Sequence, residues 1–304
     1  NRAVCRKSFT AAVTRAMIPG YKYDNMVILA GPQGIGKSTL LDKMSRGWFN
    51  DSIRTFEGKD ASELLQGVWL VEVSELDAFR KTDVARIKQF LSLRADRYRA
   101  AYGRHVSELP RQCVFFGSTN TTDFLQDTTG NRRFWPVDVG EQPHAKTVWR
   151  DLTDDVIDQL WAEAKARWQA GESLYLSGDV EQEAKIKQEE HREVSAREGL
   201  IAAFVEKQVP VDWAKWPIDR RRDYWCGATR TPDGQELELV DRDRIAAVEV
   251  WCELFNGNVR EMKPADTREI NAILARLDGW KRNNNPLRFG PYGQQRGFAR
   301  VRRR

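Results

Sequence analysis

The sequence predicts an α/β protein, and three observations carry that expectation. Apolar runs at Met26–Ala30, Val68–Val71 and from Cys113 onward have the length and composition of buried parallel strands. A glycine-rich loop joins the first run to a segment of helical spacing. Acidic or polar residues close the second and third runs, and ligand chemistry gathers at strand ends in open α/β sheets.

The loop reads Gly31-Pro32-Gln33-Gly34-Ile35-Gly36-Lys37-Ser38-Thr39 and fits G-x-x-x-x-G-K-[ST]. Glycines let its backbone wrap closely, so that N–H groups converge on phosphate oxygens. The helix that opens at Ser38 adds its partial positive charge. Lys37 is expected to reach the β- and γ-phosphates of ATP, and Ser38 to ligate Mg²⁺. Leu40, Leu41 and Met44 supply that helix's apolar positions.

Hydrolysis also needs an acid for the metal and one for the attacking water. Glu72, Glu75 and Asp77 follow the second run. Glu72 is assigned to the Mg²⁺ shell and Glu75 to water activation. Their spacing of three leaves the division of roles open. The third run ends in Ser118, Thr119 and Asn120, and Asn120 is the candidate γ-phosphate sensor. Arg132 and Arg133 precede a fourth strand expected over Phe134–Val139. An arginine fork matches phosphate oxygens, and across a subunit boundary one of the pair would act as an arginine finger.

These motifs resemble the virulence-associated protein E family, phage and mobile-element replication ATPases related to superfamily 3 helicases of the AAA+ class. The resemblance rests on the stretches 30–39, 69–77, 111–120 and 129–137, within roughly the first half of the chain. It implies a P-loop AAA+ core, an ATP-driven motor on DNA, a homo-oligomeric ring and a bacterial host cytoplasm. Primase modules often precede such motors. The chain starts at Asn1 without Met, which fits a fragment, and whether a primase precedes it is left open by the sequence.

Composition agrees with that reading. Of 304 residues, 41% are hydrophobic and 31% charged, with a net charge of +5. Apolar runs such as Leu200–Val205 fall far short of the roughly 20 residues of a bilayer span, and no secretory leader is recognised. Neither a membrane partner nor a secretory route is expected. Cys5, Cys113, Cys226 and Cys252 form no C-x-x-C pair, and only three histidines occur, which argues against a zinc cluster. Reduced thiols are expected.

The average charge conceals segregation. Residues 80–111 hold nine Lys/Arg against three Asp/Glu, and residues 151–200 hold six against thirteen. Residues 281–304 hold eight Lys/Arg and no acid. In the first basic zone Val84, Ile87, Phe90 and Leu91 have helical spacing. Then a hairpin is expected, with strands Tyr98–Ala101 and His105–Leu109 and a turn at Tyr102-Gly103-Arg104. The resemblance places such a hairpin in the ring's pore. Arg97, Arg99, Tyr102 and Arg104 are its candidate contacts to single-stranded DNA, charges tracking phosphates and rings stacking on bases.

In the second half, Val148, Leu152, Val156, Leu160 and Ala164 predict one amphipathic helix over Val148–Trp168. Residues 178–198 read as an exposed helix or linker, and 210–225 as an irregular, tryptophan-pinned connection. Helices over Asp241–Leu254 and Thr267–Leu277 precede two strand-like pieces, Trp280–Arg282 and Leu287–Arg302. Gly290-Pro-Tyr-Gly293 is read as joining them. Two helices and a glycine-tipped basic hairpin make a winged-helix pattern. Its candidate duplex contacts are Arg268, Arg276, Lys281, Arg282, Arg288, Arg296 and Arg300.

The expected organisation is an ATPase core over 1–150, a helical extension over 151–205, and a linker with a winged-helix-like domain over 206–304. A DNA helicase is the first functional expectation. The second is an initiator or loader that hydrolyses ATP without unwinding, and the third a nucleotide-gated DNA-binding protein.

Overall fold

The computed structural model describes residues 1–75, 81–99, 105–125, 131–140, 146–192, 196–227 and 236–301. They fall into two compact units, Asn1–Glu193 and Val194–Arg304.

The first unit is built on a parallel sheet. Its strands are β1 (Met26–Ala30), β2 (Phe49–Asn50), β3 (Leu70–Val73), β6 (Val114–Thr119) and β7 (Phe134–Asp138), in the order β2-β3-β6-β1-β7. β4 (Ala95–Tyr98) and β5 (Ser107–Pro110) form a separate antiparallel hairpin. Side chains alternate across the sheet, so each face closes its own core. Met26, Ile28, Val71, Val73 and Phe115 pack under α3 (Gly58–Glu63) and α4 (Lys81–Leu91). Val27, Leu29, Leu70, Phe116 and Val137 pack under α1 (Arg2–Met17), α2 (Lys37–Ser45) and α6 (Asp154–Gln169). Val84, Ile87, Phe90 and Leu91 of α4 are all buried, as their spacing predicts.

Sequence reading leaves α1 unassigned. It runs without Gly or Pro up to Pro19 and presents the small residues Ala11 and Ala12 to the sheet. Its Arg15 is buried and fixes three loop or strand carbonyls, donating to Tyr21 O (3.1 Å), Cys113 O (2.7 Å) and Tyr23 O (2.7 Å). These bonds satisfy peptide groups the sheet leaves over and hold α1 across it.

The helix expected over Val148–Trp168 is two helices, α5 (Val148–Asp151) and α6, because Thr153 restarts the chain as an N-cap residue with extended backbone. The buried face is rotated from the predicted one. Ile157 and Ala164 are buried, whereas Val156 and Leu160 are 42% exposed. A period of four drifts round a helix of 3.6 residues per turn. α7 (Gly178–Glu190) packs on β7, where Gln188 donates to Phe134 O at 2.8 Å and Lys187 pairs with Asp138 at 3.0 Å.

The second unit contains α8 (Ala196–Glu206), β8 (Val209–Pro210), α9 (Ile218–Trp225), β9 (Leu239–Val240) and β10 (Arg244–Ile245). α10 (Ala247–Glu249) continues into a π-helical turn over Val250–Leu254. α11 (Pro264–Leu274), β11 (Trp280–Arg282), β12 (Leu287–Arg288), β13 (Gln294–Gln295) and β14 (Phe298–Arg300) follow. β10, β14 and β11 form an antiparallel sheet in that order, while β12 and β13 pair across Gly290–Gly293. Ile201, Phe204, Ile245, Val250, Ile270, Ile273, Trp280 and Phe298 make one core.

Three expectations change in this unit. Asp241–Leu254 begins as a strand, and its helix starts only at Ala247. Pro264 at the first helical position starts α11 three residues before the predicted Thr267, and Leu274 ends it three before Leu277. The stretch 210–225 holds the helix α9, whose Arg221 and Tyr224 are buried. The extension expected over 151–205 is also not one body. α5 to α7 belong to the first unit, and α8 to the second. Among the described residues no helix is long and apolar enough to cross a membrane.

Candidate functional site

β1 delivers the glycine loop to the carboxyl end of the sheet, between the ends of β6 and β7. Gly31 is required by close approach, since a Cβ there would strike the carbonyl of Val139. Gly36 sits at φ +91°, in the left-handed region, immediately before α2. No side chain caps the N-terminus of α2, so its first-turn N–H groups remain available to an oxyanion.

Lys37 curls back over the loop. Its Nζ donates to Gly31 O (2.6 Å), Pro32 O (2.9 Å) and Asn120 Oδ1 (3.0 Å). Burial lowers its pKa, and the nearby Glu72 opposes that shift. The predicted loop lysine and the predicted sensor are thus in direct contact.

Glu72 is not at the end of its strand. β3 runs on to Val73, two residues past the expected end at Val71, which puts Glu72 inside it, fully buried. Its Oε1 accepts from Ser38 Oγ at 2.9 Å and from Ser118 Oγ at 2.5 Å. Its Oε2 is buried without a hydrogen-bond partner among the described residues. A hydroxyl and a carboxylate with an uncommitted oxygen, and no nitrogen or sulfur, make a donor set that fits Mg²⁺.

Glu75 is exposed and adopts φ +54°, a conformation uncommon outside glycine and asparagine. Such backbone strain persists where surrounding structure fixes it, often at ligand sites. Glu75 lines the same cavity of about 290 Å³ as Lys37, Ser38 and Asn120. Asp77 lies outside the described residues.

Trp149 also lines this cavity and was not singled out from the sequence. It is 57% exposed on α5, which Lys43 fastens to α2 by donating to Val148 O at 2.9 Å. In the sequence it is one aromatic in an amphipathic run, and only folding sets it beside Gly36.

Arg132 and Arg133 are not brought to this cavity. They form a single 3₁₀ turn at the start of β7, and Phe134 pairs with Met26 at the opposite end of β1. At about 3.3 Å per residue the five-residue strand holds them roughly 16 Å from their own loop. Arg133 pairs with Asp24 at 3.3 Å, whereas Arg132 is exposed and has no ion pair among the described residues.

The predicted hairpin exists as β4 and β5, with Tyr98 opposite Ser107, so its first strand lies three residues earlier than expected. Tyr102 and Arg104 lie outside the described residues. Arg97 pairs across the strands with Glu108 at 2.6 Å, and Arg99 is exposed. The basic excess counted over 80–111 is partly paired internally. Arg111 is buried and takes both oxygens of Asp96 at 2.7 Å, and Arg86 pairs with Glu57.

In the second unit Arg268, Lys281, Arg282, Arg288 and Arg296 are exposed, as a surface role requires. Two candidates are otherwise engaged. Arg276 lies past the end of α11 and pairs with Glu198 at 3.4 Å. Arg300 pairs with Glu206 at 2.5 Å and lies over the Trp280 ring.

The virulence-associated protein E-like domain model matches residues 1–193. The chain belongs to the virulence-associated protein E-like family. The matched span ends where the first compact unit ends, so the VapE-like domain holds the loop, both acids, Asn120 and the arginine pair. Curated proteins yield no match to the chain. Among solved structures it is similar to two apo structures of the NrS-1 C-terminal region, one of them an A form. Identities are 13% and 14%, each alignment covers 97% of this chain and 70% of the other, and the TM-score is 0.42 in both.

Glu75→Gln is expected to retain ATP binding and lose most hydrolysis, because the loop is untouched while the exposed acid is neutralised. Glu72→Gln should weaken the magnesium dependence instead. Nucleotide affinity and phosphate release, each titrated with Mg²⁺, separate the two. Normal turnover in Glu75→Gln beside a dead but nucleotide-binding Glu72→Gln would reverse the assignments.

Proposed function

We propose that the chain is an ATP-driven DNA helicase of mobile-element replication, built on a superfamily 3-like AAA+ core and working as a ring. The observation that carries this reading is the convergence of three segments at one cavity. The glycine loop brings Lys37 and Ser38, β3 brings Glu72, and β6 brings Ser118 and Asn120. In this reading the loop and α2 N–H groups hold the phosphates, and Lys37 exchanges its carbonyl partners for phosphate oxygens. Ser38 and Glu72 would hold Mg²⁺, which when bound neutralises charge on the phosphates. Glu75 accepts a proton from the attacking water, and Asn120 orients it. Trp149 offers an exposed ring face for the nucleotide's base.

The ring reading is supported by the distance of the arginine pair from its own loop. At the far end of the sheet, a finger can serve only a neighbour's nucleotide, and Arg132 is the one left uncommitted. The DNA reading is supported by the hairpin and by the second unit, whose order α10, α11, β11, glycine-tipped β12–β13 and β14 follows the winged-helix pattern. Phe298 and Trp280 are core residues, so the wing is probed by substituting Lys281, Arg282, Arg288 and Arg296 rather than by truncation.

A forked DNA substrate tests the proposal. ATP-dependent strand separation is expected, and Arg99→Ala should reduce it together with DNA-stimulated hydrolysis while sparing basal hydrolysis. ATP turnover on DNA with no strand separation would favour an initiator or loader.

A further inference from the structure

The second unit holds a cavity of about 710 Å³ that shares only Arg288 with the proposed DNA contacts. Its walls include Val209, Trp213 and Phe289. Arg242 lines it and is only 4% exposed, with its guanidinium 4.6 Å from the Phe204 ring centre and 5.3 Å from that of Trp213. Its Nε and Nη1 are buried and have no hydrogen-bond partner among the described residues.

The neighbouring Arg221 shows what a satisfied guanidinium looks like in this unit. It is 1% exposed and donates to Glu249 (3.0 Å), Glu253 (2.9 Å), Trp213 O (2.7 Å) and Trp216 O (3.2 Å). The two buried acids are therefore held by Arg221, and neither forms an ion pair with Arg242. Burial raises both carboxyls, Glu249 to about 7 with the charge of Glu253 adding to it, and the nearby charges of Arg242 and Arg221 oppose the shift in both. Arg242 therefore feels the two acids through space, but its buried N–H groups lack acceptors among the described residues, and a buried donor left unbonded is costly to a fold.

The mouth of the cavity adds positive charge. Lys215 and Arg288 line it, are exposed, and have no ion pair among the described residues. Arg244 is paired with Asp243, and Asp241 accepts from Gln208. The unbonded guanidinium N–H groups of Arg242, with Lys215 and Arg288 at the mouth, suit the several oxygens of a phosphate, whose geometry a guanidinium fork matches. The volume lies within the range of small-molecule sites.

We propose that this cavity binds a nucleotide phosphate, with Arg242 gripping the phosphate oxygens, Lys215 and Arg288 closing over it, and Trp213 and Phe289 walling the sugar or base. Choosing a nucleotide among phosphate esters rests on the DNA-motor reading; the phosphate site itself does not. The phosphate belongs either to a free mononucleotide or to the phosphorylated end of a DNA strand.

The test uses the 304-residue chain carrying Lys37→Ala, which removes the loop's point charge and keeps the result independent of the motor reading. The probes are AMP, a short 5′-phosphorylated single strand, and the same strand without its phosphate. Arg242→Gln is expected to weaken AMP or the phosphorylated strand by about tenfold to a hundredfold, as loss of charge-assisted hydrogen bonds does. AMP competition with the phosphorylated strand identifies a free nucleotide as the source; preference for the phosphorylated strand alone identifies the strand end. If Arg242→Gln misfolds, the exposed Lys215→Ala and Arg288→Ala carry the same comparison, with losses of several-fold expected. The proposal is overturned if no probe depends on Arg242, Lys215 or Arg288, or if both strands bind equally and AMP does not bind.

Discussion

Lys37→Ala is expected to bring ATP hydrolysis down to background, a loss of at least about 10²–10³-fold. The ammonium is the cation of the loop that already lies among the oxygens of Gly31, Pro32 and Asn120. A phosphate entering the cavity would meet it without rearrangement of the backbone. No other side chain can replace it from nearby, since the next lysine, Lys43, is fastened to the carbonyls of Val148 and Leu152. The fold should survive, because Lys37 contributes no apolar contact to either core of the first unit. Phosphate release measured beside a melting curve checks both halves. Parental turnover in this variant would detach the glycine loop from the chemistry and end the ATPase proposal.

Arg132→Ala is expected to cost about 10³–10⁵ in hydrolysis while leaving nucleotide affinity nearly unchanged, the range found where an arginine finger is removed. The same change at Arg133 should cost less, because that guanidinium is already committed to Asp24. The two largest effects can be combined. A subunit with Lys37→Ala keeps its finger, and one with Arg132→Ala keeps its loop. Mixing two inactive proteins should therefore restore part of the activity. Restoration can occur only if the residues meet across a boundary between subunits, in a closed heterologous interface. A mixture as inactive as its components, with a rate per subunit independent of concentration, would place catalysis within one chain.

The glycine loop, the strands that lead to Glu75 and Asn120, and the helix α4 were legible because each is a local pattern. A glycine is needed where the backbone alone must fit, and an apolar period reports which face is buried. What was missed depends on distant partners. Charge counting treated Arg111 as part of a surface patch, although it is buried against Asp96, whereas the count itself is blind to pairing. Arg276 on the second helix and Arg300 on the wing read as duplex contacts until Glu198 and Glu206 came to lie beside them. α1 has weak periodicity because it is buried along much of its length, and α9 hides behind tryptophans and prolines that read as loop. Trp149 enters the cavity only because Thr153 breaks the predicted helix and turns α5 toward α2.

Strand β7 touches both ends of the proposed mechanism. Its tip, through Val139, lies against Gly31, while Asp138 is clamped by Lys187 and by His191 at 2.7 Å. Its other end carries Arg132, and Asn25 holds the Arg132 carbonyl at 3.1 Å. Between them run Phe134–Asp138, without a glycine and paired to β1 along their whole length. Such a rod has little compliance along its axis. A displacement at the floor of the loop would be carried toward the arginine end. In a ring, one subunit's occupancy would be passed to the next site mechanically, and neighbouring subunits would fire in sequence rather than independently.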